Sequence, residues 1–320
     1  MDWTLEELEA LHASPLFDLM VRSHAVHLKH HSPGEIQVCS LISIKTGGCP
    51  ENCKYCPQSS HYSTTVAAQP LMDESDVIEE AKKAIAYGAS RICLGAAWRE
   101  IRDNKQFETV LQIIKGVAAL GVEVCCTLGM LKEHQAQRLK EAGLYAYNHN
   151  LDSSEKFYRT IISTRTYQDR LDTLKIIDKT GLSMCCGGIL GMGEEVADRL
   201  ELILTLSRLN PHPASVPINL LKPIPGTPLE KQPKISFWDM LRIVAIARIV
   251  LPHTWIRLSC GRTELAYAEQ LLCFLAGANS IHAGEKLLTQ ENNPIHQDEE
   301  MFQILGLKKK IRKEADANLA

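Results

Sequence analysis

Three cysteines share one short stretch, "GGCPENCKYCPQSS" (residues 47–60), at Cys49, Cys53 and Cys56. Thiols at this C-x3-C-x2-C spacing act either as small buried hydrophobes or as ligands to a soft metal. Zinc sites usually show two close ligand pairs, and no fourth close ligand follows here. A cubane iron–sulfur cluster normally takes four thiolates. Three leave one iron without a protein ligand, an open position for substrate or cosubstrate like the one a catalytic zinc keeps. Gly47, Gly48, Pro50 and Pro57 make the stretch a loop wrapped around its contents.

The elements that must hold this loop alternate along the chain. Strand candidates are "VCSLISI" (38–44), "RICLGAA" (91–97), "VEVCCTL" (122–128), "LYAYNHN" (144–150), "LSMCCGGIL" (182–190), "SVPINLL" (215–221), "WIRLSC" (255–260) and "ANSIHA" (278–283). Helix candidates lie between them at Asp73–Tyr87, Asn104–Leu120, Leu131–Ala142, Tyr167–Lys179, Glu194–Leu209, Ser236–Val250 and Glu264–Leu275, several ending near glycine. Eight strands alternating with helices predict an α/β fold, a (β/α)8 TIM-type barrel, with an open doubly wound sheet as the competitor. The barrel is expected over residues 37–300, after an N-terminal helical extension (1–36) and before a charged C-terminal tail (301–320). Within that tail, "KKKIRKEADANLA" (308–320) reads as frayed, its basic run a solvated helix face. The three-cysteine loop follows the first strand at the end where barrels place their chemistry.

Strand parity sorts the other cysteines. Arg91 shares a face with Cys93, Glu123 with Cys125, Ser183 with Cys185, and Arg257 with Ser259; Cys126, Cys186 and Cys260 point the other way. The helix-facing side should be apolar, so Cys93, Cys125, Cys185 and Arg257 are expected in the lumen. Three inward thiols can meet at one metal or be unrelated interior residues; parity alone leaves both open. Cys39 and Cys273 read as core residues.

The C-x3-C-x2-C loop, with Tyr55 before its last cysteine, resembles the radical S-adenosylmethionine enzymes. "GGILGMGE" fits that superfamily's G-x-I-x-G-x-x-E pattern through Gly187, Ile189, Gly191 and Glu194, although Glu194 also suits the first turn of a helix. Over residues 37–288 the chain is similar to the biotin synthases, through "LISIKTGGCPENCKYCPQSS", "CLGAAW", "YNHNLD", "TRTYQDRLDTL", "GGILGMGE", "SVPINLL", "GTPL", "RLSCGR" and "AGANSI". That resemblance implies a 4Fe-4S cluster on Cys49, Cys53 and Cys56 that cleaves S-adenosylmethionine. It also implies a 2Fe-2S cluster, the sulfur donor to dethiobiotin, on Cys93, Cys125, Cys185 and Arg257. A guanidinium has no acceptor and keeps its proton, so a charge role for Arg257 is physically simpler than ligation.

By the same resemblance Tyr55 packs beside the adenine, with loop packing as its alternative, and Ile189 belongs to the cofactor site. Asn150 and Asp152 contact nucleoside or substrate, Asn148 lies nearby, and Asn219 meets the ureido ring of dethiobiotin. Arg170 stabilises the S-adenosylmethionine carboxylate; otherwise it is a surface charge paired with Asp169 or Asp172. Implied partners are a flavodoxin or ferredoxin as electron donor, the iron–sulfur assembly machinery and a second copy in a homodimer. Lys222 and Pro223 stand where only apolar contact with adenine is expected. The competing functions are a methylornithine synthase-like radical isomerase, which needs no second sulfur source, and an iron–sulfur carrier or zinc protein.

Composition excludes several classes. The 320 residues carry a net charge of −3, which asks for neither nucleic acid nor an anionic membrane. No run approaches ~20 apolar residues. "MDWTLEELEALHASPLF" lacks the regions of a secretory signal and the arginines of a transit peptide, so a cytoplasmic location is expected. Eleven cysteines in a reducing compartment are then packing groups or ligands rather than disulfides.

Overall fold

The apolar runs become the staves of a closed parallel barrel, not an open sheet. The computed structural model describes residues 3–311. Its barrel strands are β1 (Glu35–Lys45), β2 (Arg91–Ala96), β3 (Glu123–Thr127), β4 (Ala146–Asn148), β5 (Ser183–Cys185), β6 (Gly188–Leu190), β7 (Ser215–Leu220), β8 (Trp255–Leu258) and β9 (Ser280–Ala283). Neighbours pair in parallel from β1 to β5, then β5 to β7, β8 and β9, and β9 returns to β1. β5 and β6 are two halves of one stave, both paired to β7. The break falls at Cys186 and Gly187. There a Cβ on Gly187 would lie 2.0 Å from the Pro217 carbonyl oxygen, so only glycine lets the strands approach this closely.

Helices α1 (Leu5–Ala13) and α2 (Leu16–His30) form the N-terminal extension. The outer layer holds α3 (Glu74–Ala86), α4 (Lys105–Ala118), α5 (Glu133–Glu141), α6 (Glu155–Ile161), α7 (Tyr167–Lys179), α8 (Val196–Arg208), α9 (Phe237–Val250) and α10 (Tyr267–Leu275). Side-chain caps start several of them, including Asn104 on α4 and the reciprocal Thr166–Asp169 pair on α7. Short, polar α6 escaped the periodicity reading. Helix α11 (Ile295–Leu305) runs across the expected 300/301 boundary.

The tail reading needs correction. After a small hairpin, β10 (Lys286–Leu287) and β11 (Gln290–Glu291), and then α11, the chain adds β12 (Lys308–Lys309) in parallel to β1 at Glu35 and Ile36. The Lys309 ammonium donates to the Tyr87 carbonyl at 2.6 Å. The basic run therefore begins as a docked strand; the remainder of the tail, 312–320, lies outside the described residues.

Two apolar regions result. The large one lies between strands and helices and includes Cys126, Cys186 and Cys273. A separate one fills the lumen: Cys39, Cys93, Cys125, Ala146 and Cys185, with Leu41 and Tyr145 at its edge. Parity thus separates Cys125 from Cys126 and Cys185 from Cys186 as expected. Cys39, expected in the core, is buried there on the lumen side.

Helix α2 packs against α9 and α10, with His27 buried and His31 half-buried near Arg248 of α9. Burial, then the Arg248 charge, lowers His27 from 6.5 to about 4 and His31 to about 3. Both imidazoles resist protonation in the folded chain, so their contribution to stability is complete above pH 6.5 and is lost as pH falls toward 4. The thermal midpoint should fall across that window. His27→Gln should flatten the fall; an unchanged slope would refute the assignment.

Candidate active site

Backbone geometry starts the site. Gly47 and Gly48, just past β1, have φ of +69° and +67°, and a Cβ on Gly47 would sit 2.8 Å from the Ala67 carbonyl oxygen. The cysteine loop that follows is tied to itself: the Cys49 amide donates to the Gln58 carbonyl (2.9 Å), and the Ser60 amide to the Cys49 carbonyl (2.8 Å). It also docks on residues 161–165. Asn52 Oδ1 accepts from the Ser163 and Thr164 amides at 3.0 and 3.2 Å, and the Lys54 amide donates to the Ile161 carbonyl. Buried Glu51 accepts from Arg99 at 3.0 Å and from the Thr164 hydroxyl. Arg165 Nη2 reaches within 4.0 Å of Cys53 Sγ, so a buried cation faces the thiols. Burial raises Cys49 and Cys53 and pushes Cys56 to about 12, so metal uptake here must release protons.

A second network joins this loop to the strand ends. Tyr55 donates its hydroxyl to Asp152 Oδ2 at 2.8 Å, and Arg170 Nη2 donates to the same oxygen at 2.5 Å. Arg170 Nε is held by the Tyr158 hydroxyl at 3.0 Å. Arg170 is buried and is not the surface charge of the alternative reading: Asp169 accepts from the Thr166 amide and Asp172 pairs with Lys175. Asp152 has φ +67°, a conformation few non-glycine residues adopt. Its carbonyl accepts from the Ile189 amide (2.8 Å) and its side chain takes two donors, which together hold it there. β4 ends at Asn148 and the chain turns at Asp152, yet Asn148, Asn150 and Asp152 line the same cavity.

The asparagines are placed by their amides. Asn148 Nδ2 donates to Thr127 Oγ1 (3.0 Å), and Asn150 Oδ1 accepts from the Gly187 amide at the broken stave (3.0 Å). Asn219 spans two strand ends, donating to the Gly188 carbonyl (3.0 Å) and accepting from the Cys260 amide (3.2 Å). Glu194 instead closes its own turn. It accepts from the Gly191 and Met192 amides at 2.7 and 2.6 Å and pairs with Arg199.

Deep in the lumen, Cys93, Cys125 and Cys185 cluster, with Cys93 and Cys125 opposite one another on β2 and β3; the nearness of Cys125 holds Cys93 and Cys185 below the usual thiol range, Cys185 reaching about 6 with Arg257 assisting. Arg257 donates from Nη1 to Cys185 Sγ (3.7 Å), from Nε to Ser280 Oγ (2.9 Å) and from Nη2 to Gln37 Oε1 (3.2 Å). Below them Arg91 and Glu123 form a buried ion pair at 2.7 Å, with Gln37 Nε2 on the same carboxylate. Among the described residues no three His, Cys, Asp or Glu side chains converge on one metal ion. A spread set of thiols suits a cluster, whose ligands are shared among several irons, better than mononuclear zinc.

One cavity runs from the loop to the lumen. It is lined by Cys49, Cys53, Tyr55, Cys56, Cys93, Cys125, Asn148, Asn150, Asp152, Arg170, Cys185, Ile189, Asn219 and Arg257, whereas Glu194 and Pro223 lie outside it. Lys222 also lines it, as does Cys260, which lies past the end of β8 rather than on its helix-facing side. Sequence reasoning missed Gln37, Glu51, Arg99, Arg165 and His282, which are scattered polar residues with no motif of their own.

The Radical SAM superfamily matches residues 43–206, and the Biotin and Thiamin Synthesis associated domain matches residues 217–308. A biotin synthase of Cytophaga hutchinsonii is 55% identical over 307 residues, 96% of this chain and 91% of that protein. One from Chlamydia abortus is 55% identical over 306 residues, covering 96% and 92%. Among solved structures, a methylornithine synthase superposes with a TM-score of 0.81 at 16% identity, over 100% of this chain and 97% of that one, a likeness of fold.

Asp152→Ala should leave Arg170 buried without its carboxylate and cost about 3 kcal/mol in urea denaturation of the cluster-free chain. Tyr55→Phe, which removes a single hydrogen bond, should cost about 1 kcal/mol. Equal losses would refute the view that the ion pair dominates this network.

Proposed function

The chain belongs to the biotin synthase family, and on that premise we propose that its cavity holds two clusters with divided labour in the insertion of sulfur into dethiobiotin. Cys49, Cys53 and Cys56 hold the 4Fe-4S cluster; Cys93, Cys125 and Cys185 hold the 2Fe-2S cluster, with Arg257 beside it. The observation that carries this reading is two sets of three thiols, one at the mouth and one in the depth of the same cavity. When bound, the cubane with S-adenosylmethionine supplies a 5′-deoxyadenosyl radical able to break unactivated C–H bonds, and the lumen cluster supplies sulfide.

The protein's part is binding, orientation and exclusion. Arg170 receives the carboxylate of S-adenosylmethionine, with Asp152 holding its guanidinium in place. Tyr55 and Ile189 flank the adenine, and Asn150 with Asp152 takes the ribose. Asn148 and Asn219 present amides to the ureido ring; an amide ladder recognises a neutral urea without a fixed charge. The buried lumen walls keep water and stray hydrogen donors from a radical. The chain would act as a sulfurtransferase, reduced by a flavodoxin or ferredoxin, reloaded by iron–sulfur assembly proteins and working as a homodimer. No helix among the described residues is long and apolar enough to cross a membrane, which fits the expected cytoplasmic location.

Anaerobic reconstitution and assay for 5′-deoxyadenosine and biotin tests the reading. Both products should form. Deoxyadenosine without biotin would favour a radical isomerase, and neither product an electron carrier. Cys125→Ala should abolish biotin while the loop cluster persists, whereas Cys126→Ala, on the helix-facing side, should change activity little. Equal loss in both variants would overturn the lumen assignment.

A further inference from the structure

The lumen wall carries a polar pair that the proposed function leaves unused. On β9, Ser280 and His282 share the inward face. Ser280 Oγ accepts from Arg257 Nε at 2.9 Å. Beyond that contact, Ser259 and His282 both line the cavity, and Ser259 Oγ lies 2.8 Å from His282 Nδ1. Both residues are buried.

His282 is seated firmly from behind. Its carbonyl accepts from Arg262 Nη2 at 2.9 Å and from Asn292 Nδ2 at 3.1 Å. Arg262 is itself clamped by Asp298, at 2.7 and 2.8 Å. The other edge of the ring is different: His282 Nε2 is buried and has no hydrogen-bond partner in the chain. An unpaired buried polar group costs about 1–3 kcal/mol, so a ring held this rigidly is built to meet a further group. The direction of that bond follows from the other nitrogen. When the Ser259 hydroxyl donates to Nδ1, the hydrogen sits on Nε2. The neighbour on offer is Cys93, whose sulfur lies beside the ring, and a thiolate can only accept.

Resting on the two-cluster reading above, we propose that His282 is a positioning residue of the lumen cluster. Its Nε2–H donates to the Cys93 sulfur once that sulfur ligates iron, and Ser259 fixes the tautomer and the ring. Groups behind the ligands tune a metal site in this way. A hydrogen bond to a ligand sulfur draws charge from the cluster and raises its reduction potential.

The test is resonance Raman spectroscopy of the anaerobically reconstituted full chain in H2O and D2O, with iron and sulfide counts and a redox titration. The wild type should show both cluster types, and D2O should shift Fe–S stretching bands of the two-iron cluster. A wild type with cubane iron alone would sink the two-cluster reading itself. His282→Phe keeps an aromatic ring but removes the donor. It should lose most of that D2O shift. Its two-iron potential should move negative by about tenfold in the reduction equilibrium, about 59 mV for one electron, while the cubane potential in the same molecule stays put. His282→Gln, which keeps a side-chain N–H, should recover both properties, and Ser259→Ala should fall between. Wild-type bands and potential in His282→Phe would overturn the proposal. So would loss of the lumen cluster that His282→Gln does not restore, which would mean a packing role. A change confined to the KM for dethiobiotin would place the ring against substrate and overturn it equally.

Discussion

In a closed parallel barrel every second side chain must point into a chamber that water scarcely reaches. That alternation governs everything chemical in this chain. It turns Cys93, Cys125 and Cys185 toward one another while Cys126 and Cys186, one residue along, pack under helices. Inside the chamber a lone thiolate would be costly. The thiols instead pack together, and Arg257 offers a positive charge to Cys185.

The mouth solves a different problem. Its thiols are carried by a loop, and a loop holds position only if its backbone is pinned. Asn52 and Glu51 pin it to residues 161–165, while Tyr55 ties it to Asp152 and through Asp152 to Arg170. The groups proposed above to bind the nucleotide are thus the groups that fasten the cysteine loop to the barrel, so on that reading cosubstrate recognition and loop support would share one set of hydrogen bonds.

Much of this was legible from residues alone, because period-two runs and cysteine spacing are local signals. All eight staves lie where the apolar runs fall, and parity sorts Cys125 from Cys126 correctly. Cys39 was read as a core residue and is one; which side of the first strand it takes needs parity, since Gln37 and Cys39 share a face as Glu123 and Cys125 do. Cys260 was misread because parity was extended past Leu258, where β8 stops. Docking of Lys308 and Lys309 on β1 is a contact between chain ends, which no local window contains. The Glu51–Arg99 pair is likewise formed by distant residues whose types are ordinary for a surface.

The floor of the lumen, sealed by Arg91, Glu123 and Gln37, has a bearing on traffic. With the far end plugged, the cavity opens only above the cysteine loop, so on the two-cluster reading proposed above anything bound in its depth would enter and leave past that loop.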